Sequence, residues 1–292
     1  MNLADINTVR SLLAKNGFTF KKSLGQNFLI NPDVCPAMAN AACDSETGVI
    51  EIGPGIGVLT RELAKTAKKV IAIELDERLK KILPETLSGL DNVEVIYGDA
   101  LKLDLNAIIK EKLSCCKSVA VCANLPYYIT TAILLKILEE THTVDKMIVM
   151  MQKEVAQRIC GKPSTKDYNA LSVLLQYFTN PKIVLDVKPS SFYPQPTVDS
   201  SVVEIKYKTE MDNTALNLNY FLKFNRNIFS QRRKTLINNL QKTYHYTKSE
   251  IEEILYHFHI SVSIRAEELS VNQIIDLANA FYKHFEQNKR TN

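Results

Sequence analysis

Between Gly48 and about Tyr207, short apolar runs alternate with longer amphipathic stretches, and this alternation limits the fold more than any other feature. It predicts parallel strands of one sheet, joined by helices that cover the sheet. The predicted strands are 48–53, 69–75, 92–98, 118–124, 146–151, 182–187 and 200–207. Residues 58–68 and 130–140 have apolar side chains at three- and four-residue intervals and are predicted helices. The fold class is therefore α/β, with a seven-stranded Rossmann-like sheet.

The last two predicted strands are joined by the proline-rich residues 188–199, which leave no room for a helix. The final strand is therefore expected to run antiparallel to its neighbour. A mostly parallel sheet with one antiparallel strand distinguishes methyltransferase-like sheets from dehydrogenase-like sheets.

Strand-like runs stop after about residue 207, and the remaining sequence is helical in pattern. Two capping boxes support this prediction: Thr247 with Glu250, and Ser270 with Gln273. We therefore expect two domains, an α/β domain over residues 1–207 and a small all-helical domain over residues 208–292.

Composition excludes several classes of protein. With 46% hydrophobic and 23% charged residues, the chain has the composition of an ordinary globular protein. It has no apolar run of about 18 residues, and its N-terminus lacks the order of charges of a signal peptide, so we expect a cytoplasmic protein without membrane contact. The six cysteines and five histidines show no metal-ligand spacing, which predicts reduced thiols and no metal site. Nothing in the sequence requires more than a monomer.

A glycine-rich turn follows the first predicted strand, at Gly53-Pro54-Gly55-Ile56-Gly57. Glycines there allow a tight turn and close approach of a nucleotide-like ligand. Glu74 ends the second strand, where its carboxylate can accept hydrogen bonds from ribose hydroxyls, and Asp99 follows the third. An N-cap or a solvated loop residue is the alternative for either acid. The spacing favours S-adenosylmethionine over a nicotinamide cofactor without deciding between them.

The tetrapeptide Asn124-Leu125-Pro126-Tyr127 ends the fourth predicted strand, at the same edge of the sheet. The N6 amine of adenine is a poor nucleophile, and acceptors such as the Asn124 amide and the Pro126 carbonyl can free its lone pair. Tyr127 can stack on the base, with Phe192 from the proline-rich loop on its other side. The alternatives are an ordinary turn for the tetrapeptide and simple packing for Phe192.

Residues 213–249 contain no Asp or Glu. The cations proposed here to contact RNA are Lys223, Arg226, Arg232, Arg233 and Lys234. A solvated helical face explains such a stretch equally well, because the formal net charge of +4 is small.

These motifs belong to a longer ordered set. In chain order they are Gln26-Asn27-Phe28-Leu29, residues 51–60, Glu74, residues 98–101, residues 124–127, Gln152-Lys153-Glu154-Val155, residues 192–201 and Arg232-Arg233-Lys234-Thr235-Leu236. Together they resemble the ribosomal RNA adenine dimethyltransferase family, most closely its bacterial kasugamycin-sensitivity branch. The resemblance covers nearly the whole chain. Tyr128, directly after the tetrapeptide, adds an aromatic residue to which no role is assigned.

The resemblance implies a class I methyltransferase domain that uses S-adenosylmethionine. It implies that Asn27 and Leu29 contact the methionine end of the cofactor, Gly53 its backbone cradle, Glu74 the ribose, Asp99 the adenine amino group and Asn124 the reacting centre. The implied reaction is dimethylation of two adjacent adenosines in the 3′-terminal hairpin of small-subunit rRNA in the 30S subunit, held by the helical domain.

Three alternatives remain open on the sequence alone. A methyltransferase of the macrolide-resistance type shares the fold and modifies large-subunit rRNA. An assembly factor would bind immature small subunits with catalysis secondary. A nicotinamide oxidoreductase has only the glycine turn in its favour.

Overall fold

The computed structural model describes residues 1–21, 24–141, 143–210, 213–244 and 246–290, with side chains as far as residue 284. The chain forms two compact units. The first comprises Met1–Ala156 and Pro181–Tyr207, and the second Gln157–Asn180 and Lys208–Asn292. The last two residues of the chain, 291 and 292, lie outside the described part.

The first unit contains a seven-stranded sheet with helices between its strands. Its strands are β2 (Thr47–Ile52), β3 (Lys69–Glu74), β4 (Val93–Tyr97), β5 (Ser118–Asn124), β6 (Lys146–Gln152), β7 (Thr179–Val187, from Pro181 onward) and β9 (Ser200–Tyr207). Its helices are α1 (Ile6–Lys15), α2 (Val34–Ala42), α3 (Val58–Thr66), α4 (Leu83–Thr86), α5 (Leu105–Lys112), α6 (Thr130–Glu140) and the start of α7 (Lys153–Ile159). All seven predicted strands are present. β7 begins three residues before its predicted start because Pro181 is tolerated in a strand at the sheet edge.

The strand order is β4-β3-β2-β5-β6-β9-β7, and the neighbours from β4 to β6 are parallel. β9 runs antiparallel to β6, with Val203 opposite Val149. An antiparallel final strand is thus confirmed, but its observed antiparallel partner is β6 and not only the preceding strand; β9 lies between β6 and β7, and β7 forms the edge. The central strands β2, β5 and β6 are buried almost throughout, as parallel strands covered on both faces must be.

The second unit is helical: α8 (Ala170–Phe178), α9 (Leu218–Ile228), α10 (Leu236–Thr243), α11 (Lys248–His257) and α12 (Val271–Arg290). Its core includes Phe221, Phe224 and Phe281, and Val173 and Tyr177 of α8 pack against the same cluster. The sequence analysis placed residues 157–180 with the α/β domain, whereas the structure joins them to the helical unit because the apolar face of α8 is buried in that core.

Both predicted capping boxes are confirmed. The Thr247 and Glu250 side chains each accept a hydrogen bond from the other residue's backbone N–H, and Ser270 and Gln273 do the same. All six cysteines are free thiols. Among the described residues, no helix combines the length and the apolar character needed to cross a bilayer.

Candidate functional site

A cleft opens at the carboxyl ends of β2, β3, β4 and β5 and encloses about 1060 Å³, including the part open to solvent. Ligands bind at this edge in open α/β sheets. Every residue assigned above to the cofactor or the target base lines this cleft: Asn27, Leu29, Gly53, Gly55, Glu74, Asp99, Asn124, Leu125, Pro126, Tyr127 and Phe192. The structure therefore brings the two predicted half-sites into one cavity.

The glycine turn between β2 and α3 has the left-handed backbone that its sequence predicts, with φ of +74° at Gly53, +59° at Gly55 and +88° at Gly57. A Cβ added at Gly53 would meet no atom within 4 Å, so this backbone faces open space in the cleft. A Cβ added at Gly55 would lie 3.0 Å from the Phe28 ring. Glycine is thus needed twice over at Gly55, for its backbone angle and for its packing.

Glu74 lies directly beside this turn. Its Oε2 accepts a hydrogen bond from the Gly55 N–H at 3.1 Å, and its Oε1 accepts one from the Asp76 N–H at 2.7 Å. Burial raises its pKa to about 7, although these two hydrogen bonds favour the ionised form. A ligand that donates hydrogen bonds to the carboxylate, as a ribose diol does, would be favoured here.

A second carboxyl, Glu51 of β2, also lines the cleft and is 1% exposed. Burial raises its pKa to about 8, with a further contribution from the charge of Glu74. Among the described residues its Oε2 has no hydrogen-bond partner. Two buried carboxyls beside the glycine turn favour a cationic ligand, such as a sulfonium, over an anionic pyrophosphate.

Asp99 follows β4 in the turn to α5. Its Oδ1 accepts a hydrogen bond from the Leu101 N–H at 3.0 Å, and Lys102 lies 3.8 Å from its Oδ2. The carboxylate therefore has the local turn role considered as its alternative, in addition to its place in the cleft wall.

Asn124, the last residue of β5, is oriented by the N-terminal segment. Its Nδ2 donates a hydrogen bond to the Asn27 carbonyl at 3.2 Å, and the Asn27 side chain in turn donates to the Gly25 carbonyl at 3.1 Å. Fixing the amide nitrogen in this way leaves Oδ1 as the acceptor. The N-terminal segment thus sets the orientation of the amide that was assigned to the reacting centre.

The acceptor role expected of the Pro126 carbonyl needs correction. This carbonyl already accepts hydrogen bonds from the Ile129 N–H at 3.1 Å and the Thr130 hydroxyl at 3.2 Å, which occupy both of its lone pairs. These bonds hold the turn that begins α6. In the described part of the chain no hydrogen bond to the neighbouring Leu125 carbonyl is found, and Leu125 also lines the cleft.

Tyr127 is half-buried, and its hydroxyl lies 2.9 Å from the hydroxyl of Ser200, which is fully buried at the start of β9. Burial also raises the pKa of the Tyr127 phenol, so the ring stays neutral. Ser200 belongs to one of the sequence motifs, yet no role was predicted for it, because a hydroxyl 73 residues away in sequence gives no local signal.

Phe192 is placed by a two-stranded sheet that the sequence analysis did not predict. β1 (Phe28–Leu29) pairs antiparallel with β8 (Phe192–Tyr193), which sets Leu29 opposite Phe192. Phe192 is 4% exposed, so most of its ring packs in the core while part of it lines the cleft. One small sheet therefore joins a residue assigned to the cofactor to a residue assigned to the target base.

A charged cluster formed by Asp76 and Arg78, which the sequence analysis did not predict, holds the N-terminal segment that contains Gln26 and Asn27. Asp76 is buried and accepts hydrogen bonds from the Gln26 side chain at 2.8 Å and from two guanidinium nitrogens of Arg78. Arg78 also donates to the Thr19 carbonyl at 2.7 Å and lies over the Phe18 ring. The only sequence signal for this cluster is the presence of Gln26 in the first of the ordered motifs.

The five cations assigned to RNA all lie in the helical unit and are exposed: Lys223, Arg226, Arg232, Arg233 and Lys234. Arg232 forms an ion pair with Glu267 at 2.7 Å, and the Lys223 ammonium lies 5.9 Å from the centre of the Tyr244 ring. The acid-free stretch is therefore partly neutralised by an acid from outside it.

The strand order, the inserted antiparallel β9 and the glycine turn define a class I S-adenosylmethionine-dependent methyltransferase. A family model described as ribosomal RNA adenine dimethylase matches residues 17–283. Ribosomal RNA small subunit methyltransferase A of Bacillus pumilus is 46% identical over 278 residues, which cover 94% of this chain and 95% of the relative. The protein of that name from Geobacillus thermodenitrificans is 43% identical, over 97% of this chain and 98% of the relative.

Two solved structures are also similar. A dimethyladenosine transferase from Plasmodium falciparum superposes with a TM-score of 0.74 at 27% identity, covering 88% of this chain and 98% of that one. The 23S rRNA methyltransferase ErmE superposes with a TM-score of 0.67, also at 27% identity, covering 86% and 98%. The chain belongs to the ribosomal RNA adenine dimethylase family. Its cofactor is S-adenosylmethionine.

Proposed function

We propose that this chain transfers methyl groups from S-adenosylmethionine to N6 of two adjacent adenosines in the 3′-terminal hairpin of small-subunit rRNA. The observation that carries the proposal is the orientation of Asn124, whose Oδ1 is left as an acceptor in the same cleft as Glu74 and the glycine turn. The names of relatives that are 43–46% identical support the choice of the small subunit.

The residues of the cleft suit S-adenosylmethionine. We assign the ribose hydroxyls to Glu74, the adenine amino group to Asp99, the close backbone approach to Gly53 and Gly55, and the methionine end to Asn27 and Leu29. When bound, the cofactor supplies an electrophilic methyl group on a sulfonium, a cation that the buried carboxyls favour.

At the target base, Asn124 Oδ1 and the Leu125 carbonyl would accept the two N6 hydrogens, which draws the nitrogen toward tetrahedral geometry and frees its lone pair. Pro126 contributes by holding the turn rather than by accepting from the base. Tyr127 would stack on the adenine ring, with Phe192 closing the cleft wall. Alkylation makes the nitrogen acidic, so its proton can leave to water, and positioning provides most of the rate enhancement.

The alternatives are each less well supported. ErmE acts on 23S rRNA, but it is 27% identical, whereas the relatives named for the small subunit are 43–46% identical. A nicotinamide cofactor would place its pyrophosphate beside Glu51 and Glu74 and would disfavour the ionised form of both carboxyls, whereas a sulfonium favours that form. A pure assembly factor would not need an oriented Asn124.

We further propose that Lys223, Arg226, Arg232, Arg233 and Lys234 contact rRNA phosphates, because all five are exposed in one helical unit. The protein would act as a monomer, without a metal, in the cytoplasm where small subunits are assembled.

The test is transfer of labelled methyl groups to purified, unmethylated small subunits, followed by nucleoside analysis. We expect N6,N6-dimethyladenosine confined to the 3′-terminal hairpin. Asn124→Ala should abolish transfer while S-adenosylmethionine binding, measured by calorimetry, changes little. Label in large subunits would overturn the proposal in favour of the macrolide-resistance type. Binding to small subunits without any transfer by the native chain would favour the assembly factor.

A further inference from the structure

Tyr128 directly follows the tetrapeptide Asn124-Leu125-Pro126-Tyr127, and the proposed reaction gives it no role. Its side chain is 60% exposed, although it lines the cleft next to the half-buried Tyr127. Among the described cleft residues, the other exposed large apolar side chain is Leu75, which follows Glu74. A large aromatic ring exposed in the wall of a cleft is a surface on which a nucleic-acid base can stack.

The position of Tyr128 is well fixed. It lies in the turn held by the Ile129 and Thr130 hydrogen bonds to the Pro126 carbonyl, directly before α6. Its ring also lies over Gly25: a Cβ built there would be 3.7 Å from Cδ1 and 3.8 Å from Cε1 of the ring. Gly25 has φ of +57°, so a residue with a side chain is disfavoured there, and the ring has a supporting surface.

We propose that Tyr128 is a second base-stacking site, which holds the nucleotide adjacent to the adenosine that occupies the Asn124 site. This inference rests on the proposed function. A base that reacts at Asn124 must leave its stack, and in a substrate with two adjacent target adenosines its neighbour then loses a stacking partner. The neighbouring base needs a new surface within one nucleotide of the cleft, and Tyr128 follows Tyr127 directly in the chain.

Stacking of a base on an aromatic side chain contributes about 1–3 kcal/mol, which corresponds to a factor of about 5 to 150 in affinity. The expected effect of removing the ring is therefore on the binding of RNA and not on the binding of the cofactor. An exposed side chain contributes little to folding, so the substitutions should leave stability almost unchanged.

The experiment measures steady-state methylation of unmethylated small subunits by Tyr128→Phe, Tyr128→Leu and Tyr128→Ala. The Phe variant keeps the π-face, and the Leu variant keeps apolar bulk without it. We expect Tyr128→Phe to stay within about 2-fold of the native KM for subunits, and the Leu and Ala variants to raise it by about 10-fold. The KM for S-adenosylmethionine should be unchanged in all three. A Leu variant that behaves like the Phe variant, or an Ala variant with native KM, would overturn the stacking site.

A second arm tests which base is stacked. Subunits that carry uridine in place of the neighbouring adenosine offer a weaker stacking partner, so the native enzyme should have a higher KM for them. The Ala variant should not distinguish the two kinds of subunit, and a full uridine penalty in that variant would overturn the assignment. Absence of methylation by the native chain on unaltered subunits would instead refute the proposed function, so the two failures are distinguishable.

Discussion

The buried carboxyl of Glu51 predicts a specific dependence of the free energy of unfolding on pH. Its ordinary pKa of 4.5 is raised to about 8 in the fold, chiefly through burial. The folded chain therefore holds this proton more tightly than the unfolded chain does at intermediate pH. It follows that the contribution of Glu51 to the stability of the cofactor-free protein is most favourable below about pH 4.5 and declines as pH rises toward 8.

The size of this fall can be worked out from the two pKa values. Between about pH 6 and about pH 9, Glu51 alone accounts for a loss of about 3 kcal/mol. Glu74, whose pKa rises from 4.5 to about 7, adds a loss of about 1 kcal/mol over the same range. For a chain of 292 residues the Glu51 part corresponds to a decrease of about 4–5 °C in Tm.

Glu51→Gln preserves shape and removes the titration, so we expect the variant to keep only the smaller, Glu74-dependent decline and to be more stable than the native chain at about pH 9. Thermal unfolding followed by circular dichroism across this range measures the difference. Glu77→Gln is the matched control, because the Glu77 side chain is 75% exposed and the ion pair with Lys80 that it loses lies at the surface and contributes little. The reasoning would be refuted by a Glu51→Gln variant whose Tm declines with pH as steeply as that of the native chain.

Two further substitutions test how the cleft is built. Gly55→Ala combines a φ of +59° with a Cβ 3.0 Å from Phe28, so it should lower stability by about 1–3 kcal/mol and weaken S-adenosylmethionine binding in calorimetry. Gly89→Ala is the control, because Gly89 has a comparable φ of +81° and a Cβ added there would meet no atom within 4 Å. The affinity of this variant for S-adenosylmethionine should equal that of the native chain. Gln26→Leu removes a hydrogen bond to the buried Asp76, which should cost about 1–3 kcal/mol and increase hydrogen exchange over residues 24–29; unchanged exchange would contradict the holding role of this cluster.

Much of the cleft follows from the sequence because its residues stand at strand ends. Gly53, Glu74, Asp99 and Asn124 each come at or just after an apolar run, and parallel strands bring their carboxyl ends to one edge of a sheet. No knowledge of side-chain contacts is needed for this step. The same reasoning predicts from the sequence alone that the cofactor and the target base bind at one edge of the sheet.

What the sequence did not predict depends on contacts between distant residues. β1 and β8 are two-residue strands, too short to show a periodic pattern. The pair formed by Tyr127 and Ser200 joins residues with no local relation. The face of α8 is apolar in sequence, but its pattern does not say which of two cores will bury it, which is why residues 157–180 were placed in the wrong unit.

The acceptor role expected of the Pro126 carbonyl was also wrong because of contacts that the sequence does not show, and this changes which carbonyl can accept from the target base. A carbonyl near a target base is a candidate acceptor until the hydrogen bonds of its own turn are known, and here the start of α6 uses both lone pairs. The N-terminal segment, to which we assign the methionine end of the cofactor, also orients Asn124 through the Asn27 carbonyl, and through β1 it pairs with the strand that bears Phe192. We therefore expect a displacement of this segment to disturb the Asn124 amide and the Phe192 wall of the cleft together, which makes the order of the N-terminal segment a further requirement of the proposed reaction.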